Sequence, residues 1–404
     1  MKIVMLTELY ADKSQYQENL LGKYYVKHGH EVTVIAGTSN DARAFYADEH
    51  DATVPASEYR DGGVNVIKLP YSLNFLNRLR RFAGVDEILE REQPDLIYVH
   101  DIHLNLAEAA SYKKKYPHCT IIMDYHADYS NSAKNWLSLH VLHKVIRKAI
   151  LYRSRKYIAR FYPVWPAAGV FLNEVYGIAP DEMELLHQGP DTDLARSTKA
   201  ARAGAAVRHR LGIPDDAVVV FTGGKFNRKK KTHLLIDAVM RIARRDLHLI
   251  AVGDAGPADQ EYKAALLRSC AGSERIHLVG WQHGADVYRF MDASDFAVFP
   301  ASQSVLWQQA ISMGLPLIVG HDDGQDASHM NMYGNVVILD EADITVEVIA
   351  ARIQAFLDDR ALLERLQRAS LRTADERFDF NKIALQTLRL ADAAVRERSE
   401  DGRP

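Results

Sequence analysis

The chain has 404 residues, more than one hydrophobic core usually organises, so two domains are expected. Its composition, 47% hydrophobic and 25% charged, is that of a globular protein, and 50 basic against 53 acidic side chains (net charge −3) exclude a global basic field for nucleic acid. Cys119 and Cys270 cannot build a disulfide framework or a Cys-rich zinc site, and neither a membrane-spanning run nor a signal-peptide pattern is seen, so a soluble protein of a reducing, cytoplasmic compartment is expected.

In chain order, short runs rich in Val, Ile and Leu alternate with amphipathic stretches. Residues 2–6 form the first run, and a helical segment over 15–28 follows it. Runs at 31–37, 64–69, 95–101 and 119–126 scarcely alternate with polar residues, as strands do when a parallel sheet is covered on both faces. Strands separated by helices of this length predict right-handed βαβ units and a doubly wound α/β sheet. The pattern lapses over 181–216, where 195–210 is rich in Ala and Arg and Gly212-Ile213-Pro214 punctuates the chain. It restarts with runs at 218–224, 247–254, 275–280, 296–300, 315–320 and 335–339, among helical segments such as 231–245 and 286–293. A boundary is expected near residue 190, with a second α/β domain to about 370 and a last helix over about 380–397. Two such sheets in tandem predict a cleft between the domains, with ligands beyond the carboxyl ends of the strands.

The sharpest motif directly follows the run at 218–222. Gly223-Gly224-Lys225-Phe226-Asn227-Arg228-Lys229-Lys230-Lys231 places two glycines and five basic side chains before an apolar helix. Such a strand–glycine–basic–helix arrangement is a natural cradle for a phosphate or diphosphate, although it lacks the Walker spacing and also reads as a solvated basic turn. The stretch resembles the G-R-x-x-x-x-K donor-phosphate motif of GT-B glycosyltransferases of the retaining family 4 type. The family's glycine and arginine fall on Gly224 and Lys225, and its lysine on Lys230. Lysine at 225 keeps the charge and loses the planar fork. Further segments match the same family in the same order. Gly29-His30-Glu31 resembles its second strand entry, and residues 249–254 resemble its glycine-ended strand. Val279-Gly280-Trp281 resembles the loop that frames the nucleotide base. Residues 293–300, 310–318 and 377–380 resemble its A-D-h-h-h-x-P-S, A-M-A-x-G-x-P-V-I and R-F-S-W runs.

The resemblance implies a GT-B fold: two Rossmann-like doubly wound domains facing a central cleft, with a C-terminal helix crossing back to the N-terminal domain. Residues 1–190 would be the acceptor-binding domain, 191–375 the nucleotide-sugar domain and 376–404 the returning helix. The diphosphate would meet Gly224, Lys225, Lys230 and the backbone of Ser304, Val305 and Leu306. The nucleoside would meet Trp281 and Gln309. One departure stands out: the family's two glutamates, eight positions apart, fall near Ala301 and on Gln309. Ser302 and Gln303 would then address the donor sugar without a formal charge. A deoxy or amino sugar donor, or lost turnover, would each fit that change.

In the N-terminal half, His126 ends a run, where the family has a histidine facing the donor sugar. A neutral imidazole there would hydrogen-bond the sugar or steady charge in an oxocarbenium-like transition state; a histidine satisfying loop backbone is the alternative. Gln15, Gln17, Glu18, Asp101, His103 and Asp128 are acceptor-side candidates, each also explicable by capping or packing. His100-Asp101-Ile102-His103 with His126 and Asp128 form a metal set only on weak spacing, and Asp191-Thr192-Asp193 spells the D-x-D of GT-A enzymes in the wrong place. No metal is expected. Residues 134–160 hold eight basic side chains and no acidic one, interleaved with Trp136, Leu137, Val145 and other apolar residues. They suit an anionic membrane surface at the inner face of the cytoplasmic membrane, or simply a core-facing helix with solvated cations. The function implied is transfer of a sugar from a nucleotide diphosphate sugar to a glycan, lipid-linked or protein-linked acceptor in surface polysaccharide or glycoconjugate assembly, with retention. A sugar-nucleotide epimerase and a carbohydrate-binding pseudoenzyme remain alternatives on the same architecture.

Overall fold

The computed structural model describes residues 1–12, 14–39, 53–282, 284–301, 304–321 and 327–400. The chain divides into two compact units, Met1–Gln188 together with the segment from Phe380 onward, and Gly189–Asp379.

The first unit is built on a seven-stranded sheet. Its strands are β1 (Lys2–Leu6), β2 (Glu31–Gly37), β3 (Ser57–Asp61) and β4 (Val64–Leu69), then, beyond a separate β5 (Tyr71–Phe75)–β6 (Leu79–Phe82) hairpin, β7 (Leu96–His100), β8 (Thr120–Tyr125) and β9 (Arg160–Pro163). The order is β3-β4-β2-β1-β7-β8-β9, parallel throughout except where β3 pairs antiparallel with β4. Every residue of β7 and β8 is buried, so successive side chains feed two apolar layers. Val4, Leu6, Ile97 and Val99 enter one layer; Ile3, Met5, Tyr98 and Ile122 enter the other. The last helix, Phe380–Glu400, closes that second layer with Phe380, Ile383, Ala384, Leu388 and Ala391. It lies against the helix Gln17–Lys27, where the Tyr24 and Phe380 rings are 5.2 Å apart and Tyr25 Oη is 2.6 Å from Thr387 Oγ1.

The second unit is a six-stranded parallel sheet of β10 (Val218–Gly223), β11 (Leu247–Val252), β12 (Ile276–Leu278), β13 (Phe296–Phe299), β14 (Leu317–Gly320) and β15 (Val336–Leu339). Its order is β12-β11-β10-β13-β14-β15. The helix Thr232–Arg241 buries Leu235, Ile236, Ala238 and Val239 against it, spacing that matches one helical face.

In each sheet the strand order reverses once: between β1 and β7 in the first, and between β10 and β13 in the second. Those reversals, at the carboxyl ends of the strands, are where open α/β sheets leave room for ligands. The residues singled out after β8 and β10 lie at or beside these points. Residues 195–210, where the strand pattern lapses, form most of two helices, Thr192–Ala200 and Gly204–Leu211. Asp191 caps the first of them by accepting from the Leu194 N–H at 3.3 Å.

Candidate functional site

In the second unit the chain leaves β10 through Gly223 and Gly224. Gly224 has φ +117°, in the left-handed region, and its N–H donates to Val252 O at 2.9 Å. Phe226 N–H donates to Asp254 O at 2.9 Å, so the turn is strapped to the end of β11. Gly253 is there because nothing larger fits: a Cβ at that position would stand 1.9 Å from Gly224 O. Gly253→Ala is therefore expected to cost roughly 1–3 kcal/mol and to displace the turn, seen as a lower melting temperature together with weakened nucleotide binding.

The turn gathers the residues proposed for the phosphates. A Cβ at Gly224 would lie 3.7 Å from Lys230 Cε and 4.0 Å from Ser304 Oγ. Asn227 Oδ1 accepts from Lys230 N–H at 3.1 Å and holds the basic loop in its turn. Burial, and after it the charge of Lys225, push the Lys230 ammonium down to about 8. A glycine turn after a strand, followed by basic side chains, is a place where an anion can bind. Val305 is exposed, and Leu306 opens the short helix Leu306–Ser312 with its N–H on Ser304 Oγ at 3.3 Å. Gly280 O accepts from Gly253 N–H at 2.9 Å, which sets the half-exposed Trp281 one residue from the cradle's own backbone. Gln309 is buried and hydrogen-bonds to the Tyr288 hydroxyl, which accepts the Asp191 N–H at 3.0 Å. Beside it Gln308 is buried, with no partner for its side-chain carbonyl among the described residues. Ala301 is 1% exposed. Ser302 and Gln303 lie outside the described residues.

In the first unit the centre is Asp124, next to last in the buried β8. Its Oδ2 takes Tyr98 Oη at 2.5 Å, His126 Nε2 at 2.7 Å, His100 Nδ1 at 3.0 Å and Gln17 Nε2 at 3.5 Å. Burial pushes this carboxyl up, but the two imidazoles outweigh burial and hold it well below the usual carboxylate range. Burial likewise works against a charged His100, yet Asp124, with Glu18 and Asp101 behind it, raises its pKa to about 10. Glu18 is buried and its carboxyl is raised, chiefly by burial. The ring and carboxylate atoms of His100, Asp124 and His126 lie within 4.8 Å of one another, spacing a metal would accept. In this arrangement hydrogen bonds use all three.

The acceptor-side candidates divide. Gln17 and Glu18 open the helix Gln17–Lys27 beside this cluster, and Gln15 is half-buried just ahead of it. Asp101, at φ +59°, accepts the His126 backbone N–H at 2.9 Å and so anchors that residue. His103 is buried near Phe82, and burial followed by the His100 charge pushes it down to about 4. Asp128 accepts from Ser130 N at 2.7 Å, Ser130 Oγ at 2.7 Å, Asn131 N at 2.9 Å and Trp165 Nε1 at 2.7 Å, spending its carboxylate on the loop. The residues that sequence reasoning missed are Tyr98 and Asp124. A carboxylate inside an apolar run was the available signal, because a charge in a two-sided strand must find partners.

Two family models match this chain. One, described as Glycosyltransferase Family 4, covers residues 20–194; the other, Glycosyl transferases group 1, covers residues 216–359. The chain is a GT-B protein related to the family 4 and group 1 glycosyltransferases. It is 31% identical over 208 residues to the lipopolysaccharide core biosynthesis glycosyltransferase LpsD of Rhizobium meliloti, a match covering 51% of this chain and 58% of that one. LpsE of the same organism is 28% identical over 200 residues, covering 49% and 56%. The chain thus spans little more than half the length of these relatives. Among solved structures, the GT-B fold of the Anabaena HepE protein in complex with UDP aligns with TM-score 0.70 at 18% identity, covering 97% of this chain and 100% of that one.

Proposed function

We propose that this GT-B protein transfers a sugar from a nucleoside diphosphate sugar to a glycan or lipid-linked acceptor in surface polysaccharide assembly, with retention of configuration. The observation that carries the reading is the left-handed Gly224 turn at the sheet's reversal point, with Lys225 next in the chain and Lys230 Cε and Ser304 Oγ 3.7 and 4.0 Å from where a Cβ at Gly224 would stand. Two lysines there neutralise a diphosphate as it binds and again as it leaves with the developing charge of bond cleavage. His126, partly exposed in the first unit, serves the sugar; Gln15, Gln17 and Glu18 stand on the acceptor side. The names of the Rhizobium relatives point to a lipopolysaccharide-like acceptor, and the UDP bound by HepE makes UDP the first nucleotide to try. No metal is assigned a role. The test is a melting-temperature screen against UDP, GDP, TDP and CDP with their sugar conjugates. One nucleotide at a hundred times its Kd adds roughly 2.7 kcal/mol of stability. Silence across the whole set removes the reading.

Working at the inner face of the cytoplasmic membrane is part of the proposal. Among the described residues no helix is long and apolar enough to cross a membrane. The helical stretch Ser138–Arg147 and its continuation Lys148–Ser154 leave Trp136, Leu137, Val145 and Tyr152 exposed, with Lys134, Lys144, Arg153 and Lys156 exposed among them. An open pocket of about 520 Å³ between Tyr152, Lys156 and Glu182 carries Arg153 and Arg155 on its wall. Each surface cation near anionic lipid contributes roughly 1 kcal/mol. The chain is expected to sediment with phosphatidylglycerol vesicles at low salt, to release in high salt, and to bind less after Trp136→Ala with Leu137→Ala. Equal binding to neutral phosphatidylcholine vesicles would contradict this.

A further inference from the structure

We propose that Asp124, steadied by His100, is a positioning residue that fixes His126 in its Nε2–H tautomer, so that its Nδ1, which accepts from Gln188 here, is left unprotonated for a sugar hydroxyl that takes the place of Gln188. This rests on the glycosyl-transfer reading of the first unit.

The geometry leaves His126 little choice. An ionised carboxylate only accepts, so the His126 nitrogen 2.7 Å from Asp124 Oδ2 must carry a proton, and that nitrogen is Nε2. On the opposite side of the ring, Gln188 Nε2 stands 3.4 Å from Nδ1 and donates to it. A donor facing one nitrogen and an acceptor facing the other admit one neutral form. The residue cannot swing away without loss, because Asp101 Oδ1 holds its backbone N–H at 2.9 Å and the Trp165 ring meets its ring edge-on at 6.0 Å.

Asp124 in turn is immobilised from two more elements. Tyr98 and His100 reach it from β7, and Gln17 from the following-layer helix Gln17–Lys27, which also brings the buried Glu18 close. A protonated His100 balances the carboxylate, so Asp124 directs the His126 proton without leaving an uncompensated buried charge. Asp124 is 0% exposed, whereas the His126 side chain is 18% exposed. Asp124, closed to solvent, can act on a ligand only through a neighbour, and His126 is the more exposed of its two imidazoles.

The experiment uses the full chain labelled with 15N-histidine and two-bond 1H–15N correlation spectra, with the His126 signals assigned by their loss in His126→Gln. The unaltered protein is expected to show the Nε2–H pattern for His126; an Nδ1–H pattern there overturns the proposal and needs no variant. In Asp124→Asn an amide nitrogen can donate where Oδ2 accepted, so the pattern should turn to Nδ1–H. The kcat should fall by roughly a hundredfold or more while the UDP Kd holds. In His100→Asn, which keeps a donor toward Asp124, the Nε2–H pattern should remain. An Asp124→Asn protein that keeps both the original pattern and its kcat also overturns the proposal. Absence of UDP binding in the unaltered protein would sink the transfer reading instead, and the tautomer result would stand by itself.

Discussion

The Lys225→Ala/Lys230→Ala variant is expected to bind UDP roughly 10²–10⁴-fold more weakly than the unaltered chain, as measured by titration calorimetry. Each lysine offers a charge-assisted hydrogen bond of about 1.5–3 kcal/mol to a phosphate, and 1.4 kcal/mol is a tenfold change. Both meet at the Gly224 turn, so neither takes over for the other. The pH dependence is the sharper signature. Burial, then Lys225, lower Lys230 to about 8 in the unliganded chain, and a bound diphosphate favours its charged form. Affinity should therefore be level below pH 8 and decline as pH rises, by up to about tenfold per unit, as one proton must be taken up on binding. Stability of the unliganded chain moves the other way. Between about pH 8 and the ordinary lysine value of 10.5 the unfolded chain holds the extra proton, so stability rises with pH there. A level affinity from pH 7 to pH 10 would show that Lys230 does not meet the phosphates.

His126→Ala is the second large effect. Loss of its imidazole should lower kcat by roughly 10²–10⁴-fold, the range for a positioned acid, base or polar partner of the reacting sugar. The phosphate cradle belongs to the other unit, so the UDP Kd should be unchanged, and the loss should appear in kcat with little movement in the nucleotide KM. Were kcat to survive, the ring's bond to Asp124 would be one more contact satisfying a buried carboxylate.

Most strands of both sheets were legible because a strand buried on two faces is a nearly unbroken apolar run, and β1, β2, β4, β7, β8 and all six strands of the second unit read that way. Those that did not read so lie at edges or on the surface. β3, Ser57–Asp61, is an exposed polar edge; the β5–β6 hairpin is largely exposed; and β9 is four residues ending in proline. The cradle was visible because glycines and lysines stand next to one another in the chain. The Asp124 cluster was not, since Tyr98, His100 and Gln17 reach it from separate elements and only the folded sheet brings them to one oxygen. His126 stood out by its place at a strand end, but the partners of its ring needed the folded sheet.

The final helix, Phe380–Glu400, completes the core that begins with β1, while Gly189–Asp379 lies between them in the chain. The second unit is in this sense an insertion, and its contiguous sequence emerges from the ribosome whole. The first unit must wait: Tyr24, Tyr25 and Tyr162 keep one side open until Phe380, Thr387 and Gln386 arrive, after the whole second unit has been made. The second unit can thus finish folding first, whereas the half bearing His126 becomes complete only once the segment beyond it has been made.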